Sequence, residues 1–142
     1  MPTVWWGPET EVEMARSILE RYGGFPFLSR VVLGFYDKVL DSDVLAPYFE
    51  DVDMRRLVDH QTKFMAFLMG GPASYTNEHL AQVHARLGID RPSFDVMVET
   101  MRETLEDFEM EEGDVAAVLH ELRVRAPWII AAPGTPAASA AG

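Results

Sequence analysis

Apolar residues recur along the chain at helical spacing, and no segment sustains the period-two alternation of a strand with hairpin turns. Thr10 and Glu13 form a capping box ahead of Val12, Ala15, Ile18, Leu19 and Tyr22, and Gly23-Gly24 stops that first helix. A second helix follows Pro26 and runs to about Leu40, with Leu28, Val32, Phe35, Tyr36 and Val39 on one broad apolar face. Asp41 to Val52 is a turn-rich link carrying Pro47, Tyr48 and Phe49. Asp53 caps a third helix that Gly70-Gly71-Pro72 ends, with Leu57, Gln61, Phe64 and Leu68 inward and His60 beside them. A connector, Ala73 to Thr76, leads to a short helix from about Asn77 to Leu87, closed by Gly88. Asp90 and Pro92 open a fifth helix with the stripe Phe94, Met97, Val98, Met101, Leu105 and Phe108. Asp114 caps the last helix, which turns Val115, Val118, Leu119, Leu122 and Ala126 inward until Pro127 kinks or ends it. The expected fold class is all-α.

Length and composition narrow this picture. At 142 residues the chain suits one domain. Its expected parts are a lead-in over 1–9, whose Trp5 and Trp6 fold back on the body, a helical domain over 10–130, and a disordered tail over 131–142 rich in Ala, Pro and Gly. The net charge of −11 repels phosphates, which argues against nucleic-acid partners. The absence of cysteine excludes disulfides, thiolate zinc sites, a Cys nucleophile and Cys-attached haem, and suits a reducing compartment. With no apolar run long enough to span a membrane and no basic, apolar leader, the expected location is the cytoplasm. Much of the negative charge lies between Glu99 and Asp114, where Arg102 is the one cation; this is a solvated helix face or a docking surface for a basic electron donor.

Common catalytic signatures are missing: there is no His-Glu-x-x-His, no Glu-x-x-His pair, no phosphate loop and no Gly-x-Ser-x-Gly. What stands out is a set of polar groups on apolar faces. His84 lies among Leu80, Val83 and Leu87, Gln61 interrupts the third helix's stripe, and Tyr36 sits on the second helix's inner face. Each must find a partner if buried. The three form either a structural hydrogen-bond network or the surroundings of a flat apolar cofactor that holds a polar diatomic ligand. His79 and His120 are expected to be exposed.

Taken in order, several motifs resemble one family. They are Tyr22-Gly23-Gly24, Val31-Val32 through Phe35-Tyr36-Asp37-Lys38-Val39-Leu40, Pro47-Tyr48-Phe49, Val52-Asp53-Met54, His60-Gln61 with Phe64, Gly70-Gly71-Pro72, Tyr75-Thr76, and Val83-His84 with Leu87-Gly88-Ile89. The sequence from about Leu19 to Ala126 is similar to the truncated, two-over-two haemoglobins, and most like the group I branch with mycobacterial and cyanobacterial members.

That resemblance implies a two-over-two helical sandwich around haem, with roles residue by residue. His84 falls at the proximal iron ligand, Tyr36 at the distal tyrosine that donates to bound oxygen, and Gln61 at a distal amide that orients ligand and tyrosine. Phe49 matches the aromatic packed on the haem face, and Leu57 the distal position where myoglobin-type globins place histidine. Phe64, Leu87, Phe94 and Val98 would complete apolar walls. His60 matches a histidine that coordinates iron as a sixth ligand in cyanobacterial relatives; the alternative puts it at the haem edge. If Leu57 points at the iron, Gln61 lies about 40° to one side and His60 about 60° to the other, so both cannot sit over it at once. Met65 stands where the mycobacterial member has a tunnel-gating phenylalanine. Lys63, Arg56 and Arg86 meet haem propionates or solvent. The histidine that cross-links haem in certain cyanobacterial members has no counterpart, because that region reads Arg125-Ala126-Pro127; the expected cofactor is non-covalent haem b.

The function implied is binding of O₂, NO and CO. The leading activity is nitric oxide dioxygenase with an external reductase as electron donor. The alternatives are an O₂ or NO sensor or carrier switched by His60, and peroxidase-like or electron-transfer chemistry.

Overall fold

The computed structural model describes residues 17–71 and 75–131. The Thr10–Glu13 box, Trp5, Trp6, Ala73 and the tail beyond Ala131 lie outside them. Among the described residues the helices are α1 (Ile18–Tyr22), α2 (Phe25–Leu40), α3 (Met54–Leu68), α4 (Asn77–His84), α5 (Arg91–Asp107), α6 (Glu112–Arg123) and the single turn α7 (Ala126–Ile129), with a 3₁₀ turn at Ala46–Phe49. No strand occurs among them.

Local chemistry explains the helix starts. Asp53, Thr76 and Asp90 are N-caps whose side chains accept from the backbone N–H of Arg56, His79 and Ser93. At α1 the cap is Ser17, in extended geometry and closed by a reciprocal box with Glu20. The expectation of a helix running unbroken through to Tyr22 is therefore corrected: Ser17 is extended and the described helix starts at Ile18. Gly23, at φ +112°, takes the left-handed turn that ends α1, a conformation closed to most side chains. Gly70, at φ +86°, lies where an added Cβ would come within 2.9 Å of Ser17 Cβ. This lets the end of α3 approach α1, where Leu19 N–H donates to Met69 O.

Two further expectations are corrected. Asp114 does not cap α6; Glu111 holds that position, and the Asp114 carboxylate is drawn away to bind Arg21 Nη2 at 2.7 Å and Tyr22 Oη at 2.7 Å. Nor does the last helix reach Ala126. It ends at Arg123, and Pro127 falls in the first turn of α7 instead. Proline has no N–H to bond the carbonyl four residues back, and its ring collides with that carbonyl, so the chain turns before reaching it.

Helix α2 packs on α3, α5 on α6, and the two pairs meet through α2 against α5 and α3 against α6. This is the two-over-two sandwich. Its core runs from Leu28, Val31 and Val32 through Leu105 to Val118 and Leu119, all buried. The short α4 is different: Leu80 is its one buried residue, and α7 lies against it.

Tyr22 ties the first helix to the last long one, since its hydroxyl donates to Asp114 and accepts from Glu111 N–H at 2.9 Å. Tyr22→Phe should lower unfolding free energy by about 1–2 kcal/mol in urea titration, because a mostly buried carboxylate loses a donor and a backbone N–H its acceptor. The hydrogen bond from Arg21, reinforced by Tyr22 and by charge, holds the Asp114 carboxyl below its ordinary 3.8 although burial opposes this. The linked stability is complete above 3.8 and lost as pH falls below it. Asp114→Asn should flatten that acid limb of the stability–pH curve.

Candidate functional site

The gap between the helix pairs is a cavity of about 430 Å³, inside the 300–1,000 Å³ range of cofactor and ligand pockets. Its walls come from α2 (Val32, Phe35, Tyr36, Val39), the 3₁₀ turn (Tyr48, Phe49), α3 (Leu57, His60, Gln61, Phe64, Met65), α4 (Leu80, Val83, His84) and α5 (Phe94, Met97, Met101), with Leu87 and Ile89 between the last two. The lining is overwhelmingly apolar, with a few polar side chains set into it. Val52 and Val83 are among the exposed large apolar residues of the protein, and both border this cavity.

His84 ends α4 on the cavity wall, half-buried. Its Nδ1 lies 2.8 Å from Leu80 O one turn back. A carbonyl can only accept, so Nδ1 carries the proton and Nε2 keeps its lone pair. Burial pushes the imidazole below its ordinary pKa of 6.5; the Leu80 carbonyl opposes this, and His79 adds to it. The ring is therefore neutral at pH 7, which is the state a metal ligand requires.

Tyr36 lies on the inner face of α2, its ring packed edge-on to Phe35 at 4.9 Å and to Phe49 at 5.6 Å between centroids. Burial pushes its phenol well above the ordinary 10, so it is a proton donor at any physiological pH. Neither the Tyr36 hydroxyl nor the Gln61 amide has a hydrogen-bond partner among the described residues, and both side chains line the cavity. A structural network joining Tyr36, Gln61 and His84 is thus not what the protein builds. These groups border a common space without bonding one another.

Of the residues singled out from sequence, Tyr36, Phe49, Leu57, His60, Gln61, Phe64, His84, Leu87 and Phe94 all line the cavity. His60 is exposed on the rim, whereas Gln61 is turned further in. Val98 does not line the cavity; it is 3% exposed and belongs to the core. The reason is helical phase. Relative to Phe94, Met97 and Met101 turn about 60° and 20° to one side, while Val98 turns about 40° to the other. Met97 and Met101, already in the apolar stripe, are the wall residues that this phase would have identified. Tyr48 and Ser93 are also walls, joined at 3.1 Å across the cavity edge. Of the three cations considered for propionates, Arg56 borders the cavity, while Lys63 pairs with Asp59. His79 is exposed yet reaches the rim, and Met65 is a buried wall residue.

Among the described residues no three histidines or carboxylates gather into a site for a bare ion. A lone neutral imidazole on an apolar cavity suits a metal that brings its other ligands in a flat macrocycle. Residues 17–130 match the family model of the bacterial-like globins. A group 1 truncated hemoglobin from Mycolicibacterium paratuberculosis is 33% identical over 113 residues, covering 80% of this chain and 83% of that one. The chain belongs to the group I truncated haemoglobins. As a globin it is a haem protein that binds diatomic ligands. The solved truncated hemoglobin of Tetrahymena pyriformis, in its Fe(III) form, superposes with TM-score 0.74 at 23% identity, covering 81% of this chain and 98% of that one. The 2/2 hemoglobin of Synechococcus, solved in the cyanomet state with covalently attached heme, also superposes at TM-score 0.74 with 24% identity, covering 80% and 98%. No helix among the described residues is long and apolar enough to cross a membrane.

Because the Tyr36 hydroxyl bonds nothing in the protein, Tyr36→Phe should leave the cofactor-free protein as stable as the parent or slightly more so. A change within about 0.5 kcal/mol is expected in denaturant titration, against about 1–3 kcal/mol lost had the hydroxyl been part of a network.

Proposed function

We propose that this protein holds haem b non-covalently, with Phe49, Leu57 and His84 among the residues that would hold it, and that it oxidises nitric oxide to nitrate. The observation that supports this most is that a neutral, Nδ1-protonated His84 and an unpartnered Tyr36 hydroxyl line one apolar cavity. Haem supplies an iron that takes up O₂, NO or CO and, when ferrous, converts NO and O₂ to nitrate before an external reductase returns the electron.

The chain's own residues do the rest. His84 offers the Nε2 lone pair, and its bond to Leu80 fixes the ring's tautomer and orientation. Tyr36 donates its proton toward a polar ligand, and Gln61 supplies an adjustable amide beside it. Phe64, Leu87, Phe94 and Met101 keep water out, which strengthens those hydrogen bonds. Arg56 on the rim is the cation placed for a propionate. Non-covalent attachment is supported by the lack of cysteine and by Arg125-Ala126-Pro127 at the cross-linking region, with His120 exposed on α6 and away from the cavity. A cysteine-free chain and a reductase-dependent cycle both suit the cytoplasm. We assign residues 10–130 to the haem-binding domain.

His84→Ala should abolish the five-coordinate ferrous spectrum after haem addition, with the band restored by free imidazole. Tyr36→Phe should speed O₂ release about 10- to 100-fold in stopped flow, the worth of one charge-assisted hydrogen bond. Mixing the oxygenated protein rapidly with NO should give nitrate in step with ferric protein; a slow reaction with no nitrate defeats the dioxygenase assignment.

A second reading, an O₂ or NO sensor or carrier, draws on His60, which stands on the cavity rim beside Gln61. For its imidazole to reach the iron, α3 must turn by about 60° from the Leu57-centred position. A six-coordinate ferric spectrum that His60→Ala converts to five-coordinate or water-ligated supports this reading. An unchanged spectrum removes it.

A further inference from the structure

Behind α4 lies a second cleft, of about 240 Å³, lined by Ala81 and His84 from α4, by Ala85 just after it, and by Pro127 to Ala131 from the C-terminal turn. Two residues line both this cleft and the large cavity: His84 and Ile129. They form the partition between the two spaces. His84 is half-buried on a helix with one buried residue, whereas Ile129 is 6% exposed and held from both ends.

The anchoring of Ile129 is specific. At the root of the turn, Arg125 Nη1 donates to Glu121 O at 2.8 Å and to Glu121 Oε1 at 2.9 Å, and its guanidinium lies 5.2 Å from the Phe67 ring on α3. Beyond the turn, Ala131 N–H donates to Ile89 O at 2.7 Å, in the segment that follows α4. Between these points, Pro127 fixes the first turn and Ile130 N–H closes it on Ala126 O at 2.9 Å. The strap is thus fastened to α3 and α6 at one end and to the segment after α4 at the other.

We propose that Ile129, presented by the Arg125–Ala131 strap, is a positioning residue for His84. It sets where the imidazole stands relative to the haem and keeps water in the back cleft from reaching the proximal side. This rests on the reading of His84 as the iron ligand. The chain's own helix α4 cannot do the job: the Leu80 carbonyl fixes the ring's tautomer but belongs to the same helix, so it moves with it. Ile129 is the external reference. Shortening it joins the two cavities at the imidazole.

The test uses haem-loaded full-length protein and reads the iron–imidazole stretching band of the ferrous, ligand-free state, together with the rate of haem transfer to an acceptor globin. Ile129→Ala should shift or broaden the band and speed haem loss about 10-fold, the lower end of what losing a supporting residue costs a metal ligand. Ile129→Val should restore most of both. Val118→Ala, in the core of α6 and 0% exposed, supplies a comparable loss of stability away from both cavities and should leave the band in place. If Ile129→Ala keeps the parent band and haem-loss rate, or if Val118→Ala changes them equally, the proposal is overturned. Failure of the parent itself to show the band, or its survival in His84→Ala, would instead overturn the assignment of His84 as ligand.

Discussion

The structure depends on holding open a large apolar space inside a small helical chain. At roughly 24 cal/mol per Å³, a dry, unfilled cavity of about 430 Å³ would cost about 10 kcal/mol, as much as the whole stability of an ordinary domain. Such a space is tolerable where a cofactor fills it and returns the lost contacts, or where solvent at the mouth offsets part of the cost. The architecture follows from that demand. Two helix pairs meet through a solid core at Leu28, Leu105, Val118 and Leu119 and leave the cavity between their other faces. The core carries the fold's stability, which frees the opposite faces to line a site.

The division of labour shows in the helices themselves. Helices α2, α3 and α5 have broad apolar faces, and each serves core and cavity at once; on α5 a rotation of about 100° separates Met97 on the wall from Val98 in the core. Helix α4 contributes to the wall but almost nothing to the core. It carries His84 on eight residues with one buried leucine, and it borrows its position from a strap at the far end of the chain. The most chemically demanding side chain thus stands on the least self-sufficient helix, a placement that works only because long-range packing supplies what local burial does not.

This explains what could be read from the sequence. The helices were legible because they are local: the Asp53, Thr76 and Asp90 caps, the paired glycines and the apolar stripes need no knowledge of the rest of the chain. Tyr36, Gln61 and His84 were legible as polar groups on apolar faces, and their joint meaning came from the motifs around them. What escaped was tertiary in origin. Asp114 has the composition of a cap but is claimed by Arg21 and Tyr22, more than ninety residues earlier in the chain. Val98 and Met97 share one stripe, and only the position of the neighbouring helices decides which faces the cavity. Pro127 signals an interruption but not that the chain beyond it returns to line the site.

The unpartnered Tyr36 and Gln61 bear on why the cavity is polar where it is. The Tyr36 hydroxyl opens onto the cavity and bonds nothing in the protein, so it adds almost nothing to stability that a phenylalanine would not. Tyrosine on the inner face of α2 therefore gains a hydrogen bond only when something polar arrives there. A non-polar cofactor face cannot supply that bond, because it offers no acceptor; a small polar ligand held at that face can. The edge-on contacts with Phe35 and Phe49 fix the ring so that little freedom is lost when the bond forms, and burial keeps the phenol protonated. The cavity as a whole fits a flat apolar cofactor, but the hydroxyl fits what that cofactor carries.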